Sequence, residues 1–500
     1  MAQSATGNGS GADMSDCLPV AWFNASSSWG GGTNQIGPGA TVELVGTITN
    51  VLLPKGSGSP GLPVTLYFEP GAKLSAPTLP NTMWIDLDNL SHYVIDGGQN
   101  GIIEATDTGT SATYGGTFDY TNTVSGISVN NCSDITIRNL VFRNFYVHTA
   151  MSDCIMNPGY GINGNGFSGP LFVNNCTFSN LCWAVTVCGG DGGNVPAGQG
   201  GGNINVFSNY FYFCDHGVAS LGSYTNINIY NNHFGSTSNW DTTCGQWHHD
   251  GMHFFYAPSG SSANIIIHGN LFDGDWGQNN TAHIYLQGDD TWSHLGANSN
   301  VWIYDNVFLM LPGENLNDGS IYGAAVAANV FNNTFVGSSQ YYMGLQMINY
   351  QGQIENNLFS GPGTFYWLNS WGTGSTNPPS LNNNLYSVTA GRLYWMFGAG
   401  WSGFNVWSGW LAFSRETNSI YLGTAAPGIY ANGTLQTNSP AAGAGVNLGS
   451  LNLPGVNADF AGNPRSATGN WDIGAYAASS TGTTSGGGSG PVPPSNLHHL

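Results

Sequence analysis

The sequence predicts an all-β solenoid, a fold in which short strands stack coil upon coil. A pattern of strand, asparagine and aromatic residue recurs along most of the chain, as in "INIYNNHFGS" at 227 and "VWIYDNVFLM" at 301. No segment of helical periodicity of useful length separates these units. One unit cannot bury its own apolar face, whereas stacked units can, so the repeat predicts about ten or more coils.

The aromatic residue of each unit marks the register of the repeat. Asparagine precedes it by two places from Asn209 to Asn384, and by three places at Asn139 and Asn175. Asparagine at a fixed register predicts tight turns with left-handed backbone geometry and a ladder of bonds to neighbouring backbones. Unequal spacing predicts insertions at the turns, where solenoids build their functional face. The register aromatics are Phe142, Phe178, Phe211, Phe234, Phe272, Phe308, Phe335, Phe359 and Tyr386.

The charge of the chain restricts its partners. Charged residues make up only 7%, and 27 acidic residues against 7 Lys and Arg give a formal charge of −20. Such a chain has few groups for binding phosphates, so nucleic acid is not an expected partner. Polyanionic glycans are disfavoured as well, unless a bound cation intervenes. No apolar run reaches the roughly 18 residues of a membrane span.

The cysteine pattern favours an extracytoplasmic location. The 8 cysteines form no CxxC pair, so zinc-ribbon spacing is absent. Their even number, with little Lys and a surface rich in Gly, Ser and Thr, predicts a secreted or cell-surface protein, although the start shows no signal peptide. Disulfides and buried free thiols are equally compatible with the pattern. The oligomeric state stays open.

The repeat and both ends of the chain resemble a known family. The "NNxF" coils resemble right-handed parallel β-helix proteins of the pectate-lyase-like superfamily, which are secreted carbohydrate-active proteins. "IGPGATVELVGTIT" is similar to their first coils, and "GVNADFAGNPRSATGNWDIGAYA" to the end of bacterial members, here with Ala477 in place of their final Glu. The resemblance implies an N-terminal segment and cap over 1–34 and a right-handed parallel β-helix over 35–477. A flexible Gly/Ser/Pro-rich tail follows over 478–500.

The segment "CGQWHHDGMHFFYAP" at 244–258 supplies the candidate site. Residues alternate in a strand, so Met252 and Phe254 are expected to face the interior and His249 and His253 to face outward. We align Val218, Met252, Ile284 and Ile321 as inward residues of successive coils. This alignment brings together one outward patch of Asp215, His249, His253, His283 and Tyr285, with Asp250 at the turn-facing start of the strand.

A polar cleft with tryptophans near its edge is suited to a sugar chain. Asp215 and Asp250 are the predicted acid and base of a glycoside hydrolase, since hydrolysis needs carboxyl groups about 5–9.5 Å apart. The histidines are expected to position groups or tune their proton affinity. Gln287 is a further predicted substrate contact. The predicted sugar platforms are Trp240, Trp247, Trp276 and Trp292. Solvated surface residues without function are the simpler interpretation of each side chain alone.

The sequence offers two candidate metal sites at or near the cleft. No cofactor is expected to be required. His249 and His283, on adjacent coils, are one pair that can bind zinc or copper. Carboxylates favour calcium, although "DGD" and "GDD" are also ordinary turn sequences. The calcium candidates are Asp273, Asp275, Asp289 and Asp290.

Motifs of the resembled family are missing from the cleft. Its pectate lyases use Arg or Lys as the base and calcium against the uronate, and none of the 7 basic residues lies in the predicted cleft. The polygalacturonase motif set is also absent. A hydrolase acting on a neutral or weakly charged polysaccharide is therefore preferred. A lyase using His253 and Tyr285 stays open, and so does a non-catalytic glycan-binding adhesin or surface-fibre protein.

Overall fold

The structure is a computed structural model of the 500-residue chain. It divides the described residues into two compact units, with 1–227 and 242–244 in unit 1 and 228–241 and 248–478 in unit 2. Each unit is described by itself. The described residues are 1–77, 83–106, 124–154, 159–164, 166–187, 201–221, 224–244, 248–255, 262–287, 298–311, 316–324, 328–337, 343–348, 352–361, 364–369, 380–388, 393–397, 400–404, 407–414 and 416–478.

Strands dominate the described residues, as the repeat predicts. They are β1 (Thr41–Leu44), β2 (Thr47–Ile48), β3 (Val64–Phe68), β4 (Lys73–Ala76), β5 (Met83–Asp86), β6 (Ser91–Ala105), β7 (Val124–Ser128), β8 (Ser133–Arg143), β9 (Gly159–Asn163), β10 (Leu171–Asn174), β11 (Thr177–Thr186), β12 (Gly202–Phe207), β13 (Tyr210–Leu221), β14 (Thr225–Tyr230), β15 (His233–Phe234), β16 (His249–Phe255), β17 (Ala263–His268), β18 (Leu271–Phe272), β19 (Asn280–Leu286), β20 (Ser299–Tyr304), β21 (Val307–Leu309), β22 (Leu316–Ala324), β23 (Ala328–Phe331), β24 (Thr334–Val336), β25 (Met343–Ile348), β26 (Gln353–Glu355), β27 (Leu358–Gly361), β28 (Thr364–Asn369), β29 (Ser380–Asn382), β30 (Leu385–Val388), β31 (Leu393–Phe397), β32 (Gly400–Phe404) and β33 (Ile420–Tyr421).

Helices are short in the described part of the chain. They are α1 (Val20–Phe23) and α2 (Trp407–Ser414), with 3₁₀ turns at Ser26–Ser28, Ser238–Trp240 and Gly449–Leu451. None of these helices is long and apolar enough to cross a membrane.

Unit 1 consists of three lines of parallel strands. One line runs β1–β3–β6–β8–β10–β12, and a second runs β2–β4–β6–β8–β11–β13. The third runs β5–β7–β9–β11–β13. The long strands β6, β8, β11 and β13 each bend from one line into the next, so one strand forms two sides of a coil.

Unit 2 repeats this three-line plan. The lines are β17–β20–β23–β26–β29, β15–β18–β21–β24–β27–β30–β33 and β16–β19–β22–β25–β28–β31. The pairing of β31 with β32 is antiparallel. Crossovers between parallel strands are right-handed. The prediction of an all-β, right-handed parallel β-helix is confirmed.

The register aromatics stack inside the coils. In unit 1 the rings of Phe142, Phe178 and Phe211 follow one another at 4.8 and 5.1 Å between centroids. In unit 2 the spacing is 4.8 Å along the phenylalanines and 5.4 Å at the last step. The unit 2 stack is Phe234, Phe272, Phe308, Phe335, Phe359 and Tyr386. The register derived from the sequence is therefore the register of the core.

The asparagines two places before the aromatics form a buried ladder in unit 2. The Nδ2 atom of Asn306 donates to Ile267 O at 3.1 Å and to Asn333 Oδ1 at 3.0 Å. Its backbone N–H also donates to Asn333 Oδ1, at 3.0 Å. The same arrangement repeats from coil to coil. We call these side chains the asparagine ladder: Asn232, Asn270, Asn306, Asn333, Asn357 and Asn384.

The left-handed backbone conformation occurs at the residue immediately before each ladder asparagine, and not at the ladder asparagine itself. Asn231, Asn332, Asn356 and Asn383 have φ between 50° and 56°, whereas no ladder asparagine has a positive φ. The expectation that one asparagine serves both purposes is wrong for unit 2. A residue that bends the backbone precedes a second residue that carries the side-chain bonds. Asn139, three places before its aromatic, is of the bending kind with φ 59°.

Unit 1 contains both a disulfide and buried free thiols, the two interpretations that the sequence left open. Cys154 and Cys244 form a disulfide. Five described cysteines are free and buried, and Cys188 lies outside the described residues. Burial raises the pKa of the Cys176 thiol to about 12, so this thiol is held as an inert core group. The predicted boundaries at 34 and 477 remain predictions, and the tail from 479 lies outside the described residues.

Candidate functional site

The candidate site of unit 2 lies on β16 and the strands that follow it in the same line. Met252 pairs with Ile284, and His253 pairs with Tyr285. On the next coil Tyr285 pairs with Tyr322. The predicted alignment of these columns is confirmed, and the side chain of Met252 lies in the core as expected.

A register shift between His249 and Asp250 changes the start of this strand. The alignment of Met252 with Ile284 implies a pairing of His249 with Thr281. His249 instead pairs with Asn280, whereas Asp250 pairs with Ala282. An irregularity of this kind bends the strand and changes where its side chains point. Strict alternation places Asp250 and His253 on opposite faces, so the sequence pattern did not bring their side chains together.

Three side chains lie around the buried carboxyl group of Asp250. Oδ1 of Asp250 accepts the Ala282 N–H at 2.9 Å. Oδ2 lies 3.1 Å from Nδ1 of His253 and 3.4 Å from Nε2 of His248. The ring of Tyr285 meets that of His253 edge to face at 4.5 Å. We call His248, Asp250, His253 and Tyr285 the histidine patch.

Solvent reaches the histidine patch from one side. The side chain of His248 is 38% exposed, whereas that of Asp250 is 0% exposed. Tyr285 is half-buried, with its ring stacked on Tyr322 at 4.6 Å. A buried carboxyl group therefore lies beneath a partly exposed imidazole ring and a half-buried phenol ring. This arrangement can bind a cation or move protons.

His253 is fixed beneath the surface by two kinds of contact. Its Nε2 lies 3.2 Å from Oε1 of Gln287. Its ring stacks on Phe255 at 3.5 Å. Gln287 thus contacts a histidine of the patch, and its role as a substrate contact stays a prediction. The expectation that His253 faces solvent is wrong, because its side chain is 1% exposed.

The other two predicted histidines are buried outside the patch. Nε2 of His249 lies 2.9 Å from the carbonyl oxygen of Trp276. His283 packs between Phe272 and Phe308, and its Nδ1 lies 3.1 Å from Ser320 Oγ. Burial lowers the pKa of His283 to about 3, although Asp250 opposes this shift. The outward orientation predicted for both is wrong, and with it their pairing as zinc or copper ligands facing solvent.

The described tryptophans near the site are part of the core. Trp240 is 5% and Trp276 1% exposed, so neither presents a ring face to a sugar and the prediction of platforms is wrong for both. The loop after β18 folds inward, with Trp276 edge-on to His283 at 4.5 Å. A Cβ on Gly251 would lie 3.2 Å from that indole and 2.6 Å from His283 O. Glycine is therefore needed where β16 passes the indole. Trp247 and Trp292 lie outside the described residues.

The predicted calcium ligands are engaged in local contacts where they are described. Asp273 Oδ1 lies 2.5 Å from Nε2 of His233, and Asp275 accepts the Gly277 N–H at 3.1 Å. Both partners belong to the turn or to the neighbouring coil, which fits the simpler interpretation as turn residues. Asp289 and Asp290 lie outside the described residues, so calcium binding stays a prediction.

The predicted pair of catalytic carboxylates is divided between the two units. In unit 1, Asp215 accepts from Nδ1 of His216 at 2.7 Å, and Cys182 Sγ lies 3.8 Å from the same carboxylate oxygen. In unit 2, Asp250 is enclosed as described above. The pairing of the two as acid and base stays a prediction.

His248 is the site residue that the sequence pattern did not single out. It lies one residue before β16, so neither strand alternation nor coil alignment assigned it a direction. Its ring lies 5.5 Å from that of His253 and 6.1 Å from that of Tyr285. One feature of the sequence could have indicated it: His248 precedes Asp250 by two residues, and residues two apart in an extended chain point to the same side.

Three atoms of the patch are close enough to share an ion. One nitrogen of His248, one oxygen of Asp250 and one nitrogen of His253 all lie within 4.8 Å of one another. Two imidazoles and a carboxylate are ligands that first-row transition metals accept.

Known proteins offer similarity of fold alone. No family model and no curated protein matches the sequence. A solved structure of PfbA, a surface adhesin of Streptococcus pneumoniae, is 14% identical over 76% of this chain and 88% of its own, with a TM-score of 0.39. The PL6 family alginate lyase AlyGC is 13% identical over 73% of this chain and 50% of its own, with a TM-score of 0.35. At this level of similarity no activity is transferred to the chain.

Proposed function

We propose that the chain is an extracytoplasmic polysaccharide lyase that cleaves uronic-acid-containing glycans at the histidine patch. The observation that carries the proposal is the meeting of a half-buried phenol with two imidazoles around a buried carboxylate. Tyr285 lies 4.5 Å from His253 and 6.1 Å from His248, measured between ring centroids. Tyr285 is the proposed proton-transfer group, and His248 is the proposed contact to the uronate.

Elimination suits these residues better than hydrolysis does. A glycosidase needs two carboxyl groups that reach the glycosidic bond and the attacking group. The carboxyl group of Asp250 is fully buried, and one of its oxygens accepts a backbone N–H at 2.9 Å. This carboxyl group cannot reach a sugar bound at the surface, so Asp250 does not suit the role of acid or base in a glycosidase.

The reaction can proceed with a single tyrosine beside the bond. The phenolate of Tyr285 removes the proton on the carbon next to the uronate carboxyl group. The electron pair forms the C4=C5 double bond, the C4–O glycosidic bond breaks, and the leaving oxygen takes the proton from the phenol. Atoms and charge balance without water. The imidazole of His248 stabilises the charge that develops on the carboxyl group.

The test is a panel of polygalacturonate, alginate and hyaluronan, with absorbance at 235 nm and new reducing ends read together. We expect both signals to rise on at least one glycan. Tyr285→Phe removes the proton-transfer group and is expected to lower the rate by about 10²–10⁴-fold. Tyr322→Phe, the same change one coil further on, is the matched control and keeps the rate.

Two outcomes overturn the elimination. Reducing ends without absorbance indicate hydrolysis, and no signal on any glycan excludes the proposed reaction on this panel. A second candidate, a non-catalytic glycan-binding protein, is favoured by one observation. The enclosure of His253, Asp250 and Trp276 leaves little catalytic chemistry exposed among the described residues. Glycan binding without any bond cleavage supports that candidate.

A further inference from the structure

We propose that His248, Asp250 and His253 bind a divalent transition metal ion, and that Zn²⁺ is the ion that fits best. The three residues lie within six positions of the chain, at the start of β16 in unit 2. The proposal rests on the ligand geometry. The role of the ion in catalysis rests in addition on the proposed function.

The spacing of the three ligand atoms is that of a metal site. Oδ2 of Asp250 lies 3.4 Å from Nε2 of His248 and 3.1 Å from Nδ1 of His253. Zinc binds imidazole nitrogen and carboxylate oxygen at about 2.0–2.2 Å in tetrahedral geometry, which places ligand atoms about 3.3 Å from one another. One ion therefore bridges the observed atoms with small adjustments of the side chains.

The two ring nitrogens of His253 face different groups. Nε2 lies 3.2 Å from Oε1 of Gln287, and Nδ1 lies 3.1 Å from Oδ2 of Asp250. An amide oxygen only accepts, so the tautomer with its hydrogen on Nε2 satisfies Gln287 and turns the lone pair of Nδ1 toward the carboxyl group. A cation between Nδ1 and Oδ2 is bound by both.

The surroundings of the ligands are those that metal sites use. Histidine ligands generally donate their second ring N–H to an outer acceptor, and ligating carboxylates are themselves hydrogen-bonded. Gln287 is the outer acceptor beside His253. The Ala282 N–H donates a hydrogen bond to Oδ1 of the ligating Asp250 at 2.9 Å. Each buried ligand is thereby held in place before an ion arrives.

The ligand set selects the kind of ion. Calcium and magnesium prefer oxygen ligands, whereas two imidazoles with a carboxylate suit zinc and its neighbours.

An ion at this position supplies the positive charge that an acidic chain lacks. The formal charge is −20, and the one basic side chain described in unit 2, Arg465, is buried against Asp305. If the patch acts on a uronate, the positive charge of the ion attracts its carboxyl group. The ion then assists the elimination by stabilising charge that develops beside the leaving proton.

The test is the zinc content of the full chain. Protein stripped with a chelator is dialysed against Zn²⁺, and bound metal is measured by mass spectrometry. We expect the wild-type chain to hold about one equivalent more than His248→Ala or Asp250→Asn. His249→Gln changes a neighbouring histidine that is not a proposed ligand and is the matched control. His498 and His499 are present in every variant, so binding at the tail cancels.

A second measurement separates ligation from a structural role. Gln287→Ala removes the acceptor of His253 and is expected to weaken zinc binding by about 10–100-fold in a competition titration. Cobalt(II) is expected to give the visible absorption of a four-coordinate site in the wild-type chain and to lose it in His248→Ala. Because His248 is partly exposed, this variant is expected to fold.

The outcomes distinguish this inference from the proposed function. Equal zinc content in the wild-type chain and both ligand variants overturns the metal site, whatever the activity. Zinc that depends on His248 and Asp250, without elimination on any glycan, supports the metal site and overturns the proposed reaction alone.

Discussion

The asparagine ladder and the histidine patch are two sets of buried polar groups in the same unit. In the ladder each amide has the same kinds of partner on the coils before and after it, as Asn306 shows with Ile267 and Asn333. In the patch the described contacts of Asp250 are with His248, His253 and the Ala282 N–H, and none of these is a copy of Asp250 on a neighbouring coil. The ladder is periodic, whereas the patch is not.

The difference separates buried polar groups that stabilise the repeat from buried polar groups that indicate a functional site. A periodic polar group has its hydrogen bonds satisfied by its own copies, so repetition alone explains its burial. A buried carboxylate beside two imidazoles has no such explanation, because removing a charge from water is costly without a compensating partner. Deviation from the repeat therefore marks the candidate site.

Removing a ladder amide is expected to produce the largest loss of stability. Asn306→Ala deletes donors to Ile267 and Asn333 and leaves their buried oxygens without that partner. Each lost hydrogen bond costs about 1 kcal/mol, and a buried polar group left without a partner costs about 1–3 kcal/mol. The free energy of unfolding is therefore expected to fall by about 4 kcal/mol. Urea unfolding measures it. Ser299→Ala, at an exposed position of the same coil, is expected to cost under about 0.5 kcal/mol. Equal losses would remove the distinction between ladder and surface.

A second expectation concerns a half-buried histidine that belongs to the repeat. His268 stacks between Tyr230 and Tyr304, and burial lowers its pKa from 6.5 to about 4. Between those values the unfolded chain binds more protons, so stability rises with pH and is lost as pH falls from about 6.5 toward 4. The shift corresponds to at most about 3 kcal/mol.

The variant His268→Phe isolates this contribution, since it keeps a ring in the stack and removes the titration. Its free energy of unfolding is expected to decrease less than that of the wild-type chain between pH 6.5 and 4. Parallel pH profiles of the two proteins would show that His268 does not titrate as described.

A third expectation concerns the packing beneath the patch. Gly251→Ala places a Cβ 2.6 Å from His283 O and 3.2 Å from the indole of Trp276. Overpacking of this kind costs about 1–3 kcal/mol. The displaced indole is expected to shift the tryptophan fluorescence as well. Unchanged stability and fluorescence would mean that the loop carrying Trp276 has room to move.

The sequence predicted the periodic part of the molecule well. The stacking of Phe272 on Phe308 and the pairing of His253 with Tyr285 followed from spacing alone, because each coil repeats the last. The division between a bending residue and a bonding residue, as at Asn332 and Asn333, was not resolved, since both are asparagine and either function suits the type.

The site was predicted only in outline, for physical reasons. The register shift between His249 and Asp250 is a local backbone event with no signature in side-chain alternation. Trp276 lies in an insertion, and composition does not tell whether a loop folds inward or outward. His248 precedes the strand, so periodicity gave it no direction. These three errors arose where the chain departs from its repeat.

The most direct test of the account compares activity and stability in one variant. His248→Ala removes an exposed side chain of the patch, so the free energy of unfolding of the metal-free protein is expected to change by under about 0.5 kcal/mol. The initial rate of absorbance increase at 235 nm on the responsive uronate glycan is expected to be lost. An unchanged rate in this variant would contradict the assignment of the histidine patch as the functional site.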